Sequence, residues 1–199
     1  MILAYTCDGP CETACKRQQF GGSVRLNQLE KAMAEEVGKS AKAPVFLTKK
    51  PQRVAVVGGG IAGMSAAHDL ARKGYQVTMF EKSDSLGGRL KELIPGTLPA
   101  EVFDQECRLL KALKVTVEYG REIDVNGLPQ VKSMFEQFDG VYISCRSPLH
   151  RLAGEMQQVD GCEMLLAGPC KKGRRISAGV VYRMLDGRSA AATLDRLFQ

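Results

Sequence analysis

Two periodicities divide the chain. Leu26, Leu29, Met33 and Val37 recur at three- and four-residue steps with polar residues between them. That spacing predicts a helix over 24–37 with one apolar stripe, and Ser23 stands where an N-cap would. Beyond residue 52 the pattern changes. Residues 53–57 and 76–80 are short apolar runs of the kind that form strands buried on both faces. Between them, 61–73 has helical spacing and Gly74 stops it. A strand, a helix and a second strand in that order predict a βαβ unit and a parallel sheet. Further strands are expected at 115–119, 140–144 and 163–167, and a helix from Pro99, as its first residue, to about Leu113. Helical stretches near 177–185 and 189–198 close the chain.

Residues 1–22 lack such periodicity and read as a loop wrapped around something. Gly9 and Pro10 argue against a continuous helix there. Residues 38–52 mix Lys, Ser, Ala and Pro and read as a linker. The expected organisation is a cysteine-rich segment with one helix over 1–45 and an α/β domain over 46–199. No internal repeat is visible.

Composition narrows the classes. The 199 residues are 44% apolar and 25% charged, ordinary for a globular protein. The net charge of +6 permits an acidic partner. With 6% aromatics and no Trp, a base-stacking surface is not expected, so nucleic acid is excluded as the expected partner. No apolar run approaches the roughly 20 residues of a membrane helix, and Met1–Thr6 does not read as a signal peptide. The odd count of 7 cysteines favours a reducing compartment over a disulfide scaffold, and a cytoplasmic location is expected.

The strongest chemical signal is Gly58, Gly60 and Gly63 in G-x-G-x-x-G, after a strand and opening a helix, with Glu81 at the end of the next strand. Gly58 permits the tight turn, Gly60 lets backbone approach a pyrophosphate, and Gly63 permits close helix–strand packing. The helix N-terminus favours phosphate. Glu81 can accept hydrogen bonds from both ribose hydroxyls, and its charge disfavours a 2′-phosphate. Three cysteines, Cys7, Cys11 and Cys15, recur every fourth residue. Soft thiolates close in sequence suit an iron–sulfur cluster. Zinc more often uses paired C-x2–4-C spacings, free thiols are a further possibility, and a disulfide would leave one cysteine over.

The stretch from Glu81 to Asp124, with E-K, L-G-G-R-L, I-P, L-P and V-T-V-E, resembles the FAD domain of the glutamate synthase small-subunit family. That family includes the amino-terminal half of dihydropyrimidine dehydrogenase and the flavin subunit of bifurcating NADH-dependent ferredoxin–NADP oxidoreductase. The resemblance implies a Rossmann-like FAD-binding domain. It places FAD on Gly58, Gly60, Ile61, Ala62, Gly63, Glu81 and Lys82, along Gly87, Gly88 and Arg89, and at Ile123, Ser144, Gly168 and Ser177. The amino-terminal C-x3-C-E-x-x-C and F-G-G resemble the same family. They imply one 4Fe–4S cluster on Cys7, Cys11 and Cys15, with Glu30 in a place where some members supply the fourth ligand. An ordinary surface role for Glu30 stays open.

Two departures shape the functional expectation. The family inserts an NAD(P)-binding domain before its closing FAD segment. Here only 18 positions separate Cys145 from Glu163 and no second G-x-G-x-x-G occurs. The closing strand ends in Gly168-Pro169 where the family has Gly-Asp, beside Lys171, Lys172, Arg174 and Arg175. That basic run either favours reduced, anionic flavin or is a solvated turn that docks an acidic subunit. The expected function is an electron-transfer subunit relaying electrons between FAD and the cluster, toward partner redox subunits or ferredoxin. The alternative is a non-catalytic scaffold derived from such a reductase. Cys107 is expected in the core of its helix, and Cys145 and Cys170 at strand ends. His68 is expected to be structural.

Overall fold

The computed structural model describes residues 1–38, 48–94, 96–123, 133–134, 136–144, 163–166, 188 and 191–196, with 163–166 as backbone only. Five parallel strands form one sheet: β1 (Arg53–Val57), β2 (Gln76–Phe80), β3 (Thr116–Glu118), β4 (Gly140–Ile143) and β5 (Glu163–Leu166). Their order is β3-β2-β1-β4-β5. The βαβ expectation holds: β1 pairs in parallel with β2, Val54 opposite Val77 and Val57 opposite Phe80. β1 pairs with β4 on its other edge, Val57 opposite Ile143. In β1 every residue after Arg53 is buried, which is why the run is continuously apolar rather than alternating.

The helices are α1 (Ile2–Thr6), α2 (Pro10–Thr13), α3 (Leu26–Gly38), α4 (Ile61–Arg72) and α5 (Ala100–Ala112). α4 lies on the sheet and presents Ala66, Ala67, Leu70 and Ala71, all buried. Small side chains let its backbone approach the strands. Burial of a side chain such as Leu70, fully covered, contributes about 2 kcal/mol. α5 adds Val102, Phe103 and Leu110 to the same core.

Several local expectations are corrected. Residues 1–22 are not a plain loop: they carry α1, α2 and a 3₁₀ turn at Lys16–Phe20. α1 forms because Ile2 and Ala4 find burial. The Gly9-Pro10 break is as expected, with Gly9 left-handed at φ +63° and Pro10 opening α2. α3 starts at Leu26, so Ser23 lies outside its first turn. The Glu12 carboxylate does that work instead, with Oε1 accepting the Asn27 N–H at 3.0 Å. Pro99 is the N-cap of α5 rather than its first residue. β3 is two residues shorter than expected and β4 one. Residues 191–196 are helical as expected, while 177–185 lies outside the described residues.

Where the strands begin, a polar knot ties 191–196 to the sheet. Asp195 accepts from Lys50 Nζ at 2.7 Å, Lys73 Nζ at 2.7 Å and the Tyr75 hydroxyl at 2.8 Å. These contacts, Lys50 first, hold the Asp195 carboxyl far below the usual carboxylate range.

Candidate nucleotide cradle and cysteine loop

The opposite end of the sheet, where the strands finish, carries the glycine loop. Gly58 turns with φ +100° and its N–H donates to Phe80 O at 2.8 Å. A Cβ at Gly63 would stand 1.9 Å from Gly58 O, so only glycine lets α4 start against this turn. A Cβ at Gly60 would meet nothing within 4 Å, leaving open space over the start of α4. Gly60 is the N-cap of α4 and offers no side chain to its N–H groups. A helix start with open space and no side-chain cap has the geometry that suits a phosphate. Ile61, Ala62 and Gly63 are buried beneath it.

A second arm closes on the first. Gly87 and Gly88 have φ of +103° and +51°. The Gly87 N–H donates to Gly59 O at 2.8 Å, and Gly60 and Gly87 form an isolated parallel bridge. The two glycine arms, 27 positions apart from Gly60 to Gly87, thus meet backbone to backbone. A 3₁₀ turn, Gly88–Leu93, leads away from it and carries exposed Arg89 beside Glu92 at 3.5 Å.

Glu81 joins the arms. It is buried at 7% exposure. Oε2 accepts the Gly59 N–H at 2.6 Å, and Oε1 accepts the Ser83 N–H at 2.9 Å and the Ser83 hydroxyl at 2.6 Å. Burial pushes its carboxyl up, but the two Ser83 bonds, the Gly59 N–H and the Lys91 cation outweigh that and hold it below its ordinary value. A carboxylate has roughly four acceptor positions, and three are used here. Of the other expected contacts, Lys82 is exposed near Glu122 at 3.8 Å. Ile123 is half-buried, on a segment held by Gly120 N–H to Ser83 O and Arg121 N–H to Glu81 O. Ser144 follows β4 and donates its N–H to Val57 O at 2.8 Å. The structure therefore gathers Gly58–Gly63, Glu81, Gly87 and Gly88 and flanks them with Ser144 and Ile123. Gly168 and Ser177, like Cys145, Cys162 and Cys170, lie outside the described residues.

Sequence reasoning missed Gly59 and Ser83. A Cβ at Gly59 would come within 2.6 Å of the Leu86 side chain and 2.8 Å of Glu81 Oε2. Its signal was the third consecutive glycine, beyond what the fingerprint needs. Ser83 gave none, since a serine in a polar turn is commonplace.

The cysteine loop is built differently. Cys7 follows α1, Cys11 is in α2, and Cys15 caps the 3₁₀ turn. All three are free. Asn27 Nδ2 donates to Cys7 O at 2.7 Å, fastening the loop to α3. The backbone amides around it, Val24 first and then Arg17, hold the Cys15 thiol below its ordinary value. N–H donors on a thiolate suit a metal-ligating cysteine, so the donor chemistry fits a cluster. Among the described residues no three His, Cys, Asp or Glu side chains stand together as a metal-holding group. Cys7, Cys11, Cys15 and Glu30 are thus not brought together, and Glu30 is exposed. Cys107 is half-buried against the core as expected, and burial, then Asp104 and Glu106, push its thiol up. His68 lies 3.3 Å from Asp69, which also pairs with Arg188 at 3.1 Å, a structural arrangement.

Residues 56–122 match the family of NAD(P)-binding Rossmann-like domains. The NADP(+)-dependent formate dehydrogenase subunit beta of Moorella thermoacetica is 28% identical over 167 residues, 72% of this chain and 23% of that protein. Glutamate synthase [NADH] of Schizosaccharomyces pombe is 28% identical over 150 residues, 73% of this chain and 7% of that protein. The NAD-dependent dihydropyrimidine dehydrogenase subunit PreT of Escherichia coli O157:H7 is 31% identical over 117 residues, 57% of this chain and 28% of that protein. The chain is a relative of the glutamate synthase and dihydropyrimidine dehydrogenase oxidoreductases. It matches between 7% and 28% of the length of these relatives, so they contain far more polypeptide than the shared part.

Proposed function

We propose that this chain is an electron-transfer subunit of a larger redox complex, holding FAD in the glycine cradle and one 4Fe–4S cluster on the cysteine loop. The observation that carries the reading is the double glycine arm joined through Glu81. Its first arm receives a pyrophosphate at the start of α4, and its second lies along the continuation of the same ligand. Glu81 keeps about one acceptor position for a ribose hydroxyl, narrower than the two-hydroxyl expectation. Its fixed negative charge repels a 2′-phosphate. FAD, when bound, supplies the exchange between two-electron and one-electron transfer. Cys7, Cys11 and Cys15 would hold the cluster, with the N–H groups around Cys15 stabilising its thiolate. The fourth ligand is Glu30 or a partner's group. The electron partners are other redox subunits or ferredoxin, and the compartment is the cytoplasm.

The full chain, isolated anaerobically from an iron-replete host, is expected to carry flavin bands together with broad brown cluster absorbance. Released nucleotide should be FAD by mass. Colourless, iron-free protein after reconstitution under reducing conditions would sink the proposal. The scaffold reading has one observation in its favour: the three thiols and Glu30 do not converge among the described residues. A protein that binds nucleotide but shows no flavin reduction at any accessible potential would establish it.

A further inference from the structure

The Ser83 hydroxyl has two acceptors within reach and one proton. Its Oγ stands 2.6 Å from Glu81 Oε1 and 2.9 Å from the Ser85 carbonyl oxygen, both at donor distance. A serine hydroxyl donates a single hydrogen, so it serves one of them at a time. Its surroundings are fixed on both sides. The Ser83 N–H donates to the same Glu81 Oε1 at 2.9 Å, and the Ser83 carbonyl accepts from the Gly120 N–H at 3.2 Å. Lys91 Nζ donates to the Ser85 hydroxyl, which donates in turn to Asp84 Oδ1 at 2.8 Å. The oxygens are thus held in place, and the hydrogen is what can turn.

The carboxylate gives that turn a consequence. Each carboxylate oxygen offers about two acceptor positions. At Oε1 both are taken by Ser83, through its N–H and its hydroxyl. At Oε2 the Gly59 N–H takes one, at 2.6 Å. A ribose bringing two hydroxyls to Glu81 therefore meets one position at Oε2 and a covered Oε1. We propose that Ser83 is a positioning residue that works as a hydroxyl switch: its hydrogen bond caps Glu81 Oε1 until a nucleotide ribose donates there, and then passes to the Ser85 carbonyl. The inference rests on the reading that the cradle holds an adenine dinucleotide. Glu81 is only 7% exposed, and a buried acceptor left unpaired is costly. The switch keeps Oε1 paired before and after binding, since one donor leaves as the other arrives. It also sets a selectivity. Loss of the ribose hydroxyl that faces Oε1 costs little, because Ser83 turns back to replace it. Loss of the hydroxyl that faces Oε2 has no such replacement.

Calorimetric titration of the full chain, freed of nucleotide, with ADP, 2′-deoxy-ADP and 3′-deoxy-ADP tests this. In the wild type one deoxy analogue should bind within about twofold of ADP, and the other about fivefold more weakly, the worth of one hydrogen bond. In Ser83→Ala the replacement donor is gone, so both analogues should bind about fivefold more weakly than ADP. Ser83→Thr keeps a hydroxyl and should restore the wild-type asymmetry. Each comparison is a ratio within one protein, so a loss of stability in a variant cancels. Equal penalties in the wild type, an asymmetry that survives in Ser83→Ala, or a Ser83→Thr variant that behaves like Ser83→Ala overturns the proposal, as does a chain that binds no ADP. ADP carries no flavin, so flavin and iron content of the purified chain read the electron-relay proposal separately, and the two can fail independently.

Discussion

The glycine cradle and the cysteine segment sit in one chain and are held by opposite means. In the cradle, backbone meets backbone. Gly58, Gly59, Gly63 and Gly87 are places where a side chain would strike a neighbour, take a strained φ, or both, and Glu81 fixes the two arms from inside. Among the described residues its two arms hold each other. In the cysteine segment the contacts are side-chain clasps, Glu12 to Asn27, Asn27 to Cys7 and Tyr5 to Glu35, and the best apolar face points out. A self-sufficient site tolerates no change in its backbone. A segment held by a few clasps can lose one of them without disturbing the sheet.

The largest expected effect tests the first half of that contrast. Gly63→Val places its Cβ 1.9 Å from Gly58 O, and neither backbone can yield without moving α4 off β1. The variant should lose about 3 kcal/mol or more of stability and all nucleotide binding. Urea unfolding with ADP-ribose titration reads both. A variant of wild-type stability would show that the turn is looser than its geometry implies.

The Asp195 knot comes next, being structural but remote from the site. Asp195→Asn keeps the shape and removes the charge that Lys50 and Lys73 share, at a cost of about 2 kcal/mol at pH 7. The native carboxyl titrates well below its unfolded value near 4. Its stabilisation is therefore present in full above that unfolded value and fades as pH falls through it toward the native one. The gap between wild type and variant, read by thermal unfolding, should be constant from pH 7 to about 5 and narrow below pH 4. A gap that widens in acid would contradict the assignment.

What the residues revealed in advance follows from the same contrast. The sheet was legible because strands buried on both faces must be apolar throughout, and β1 and β2 lie where their runs place them. The first glycine arm was legible because its spacing is set by the ligand it would hold. The cysteine segment was not, for two physical reasons. Glu12 caps α3 across 15 residues, and no local window connects that acid with a helix start, so Ser23 drew the assignment. Periodicity reports that one face of α3 is apolar but not which way the helix is turned. That choice belongs to Tyr5, Asn27 and Glu35.

The clasp predicts a smaller effect confined to the second region. Glu12→Ala removes the acceptor at the start of α3, worth about 1 kcal/mol. Amide exchange in α3 should quicken about fivefold while exchange in β1 stays as it was, because the sheet does not depend on that contact. Faster exchange in both regions would mean that the two fold as one unit.

The smallest effect is the one that decides the comparison. If Leu29 and Met33 were core residues, replacing both with Ser would cost several kcal/mol, as large-to-small changes in cores do. On an outward face the loss should stay within about 0.5 kcal/mol per site. The isolated double variant should therefore unfold close to wild type, with flavin and iron content unchanged. A large loss of stability would place the stripe against the chain's own residues, and the contrast between a backbone-locked cradle and a clasped segment with its apolar face outward would fall with it.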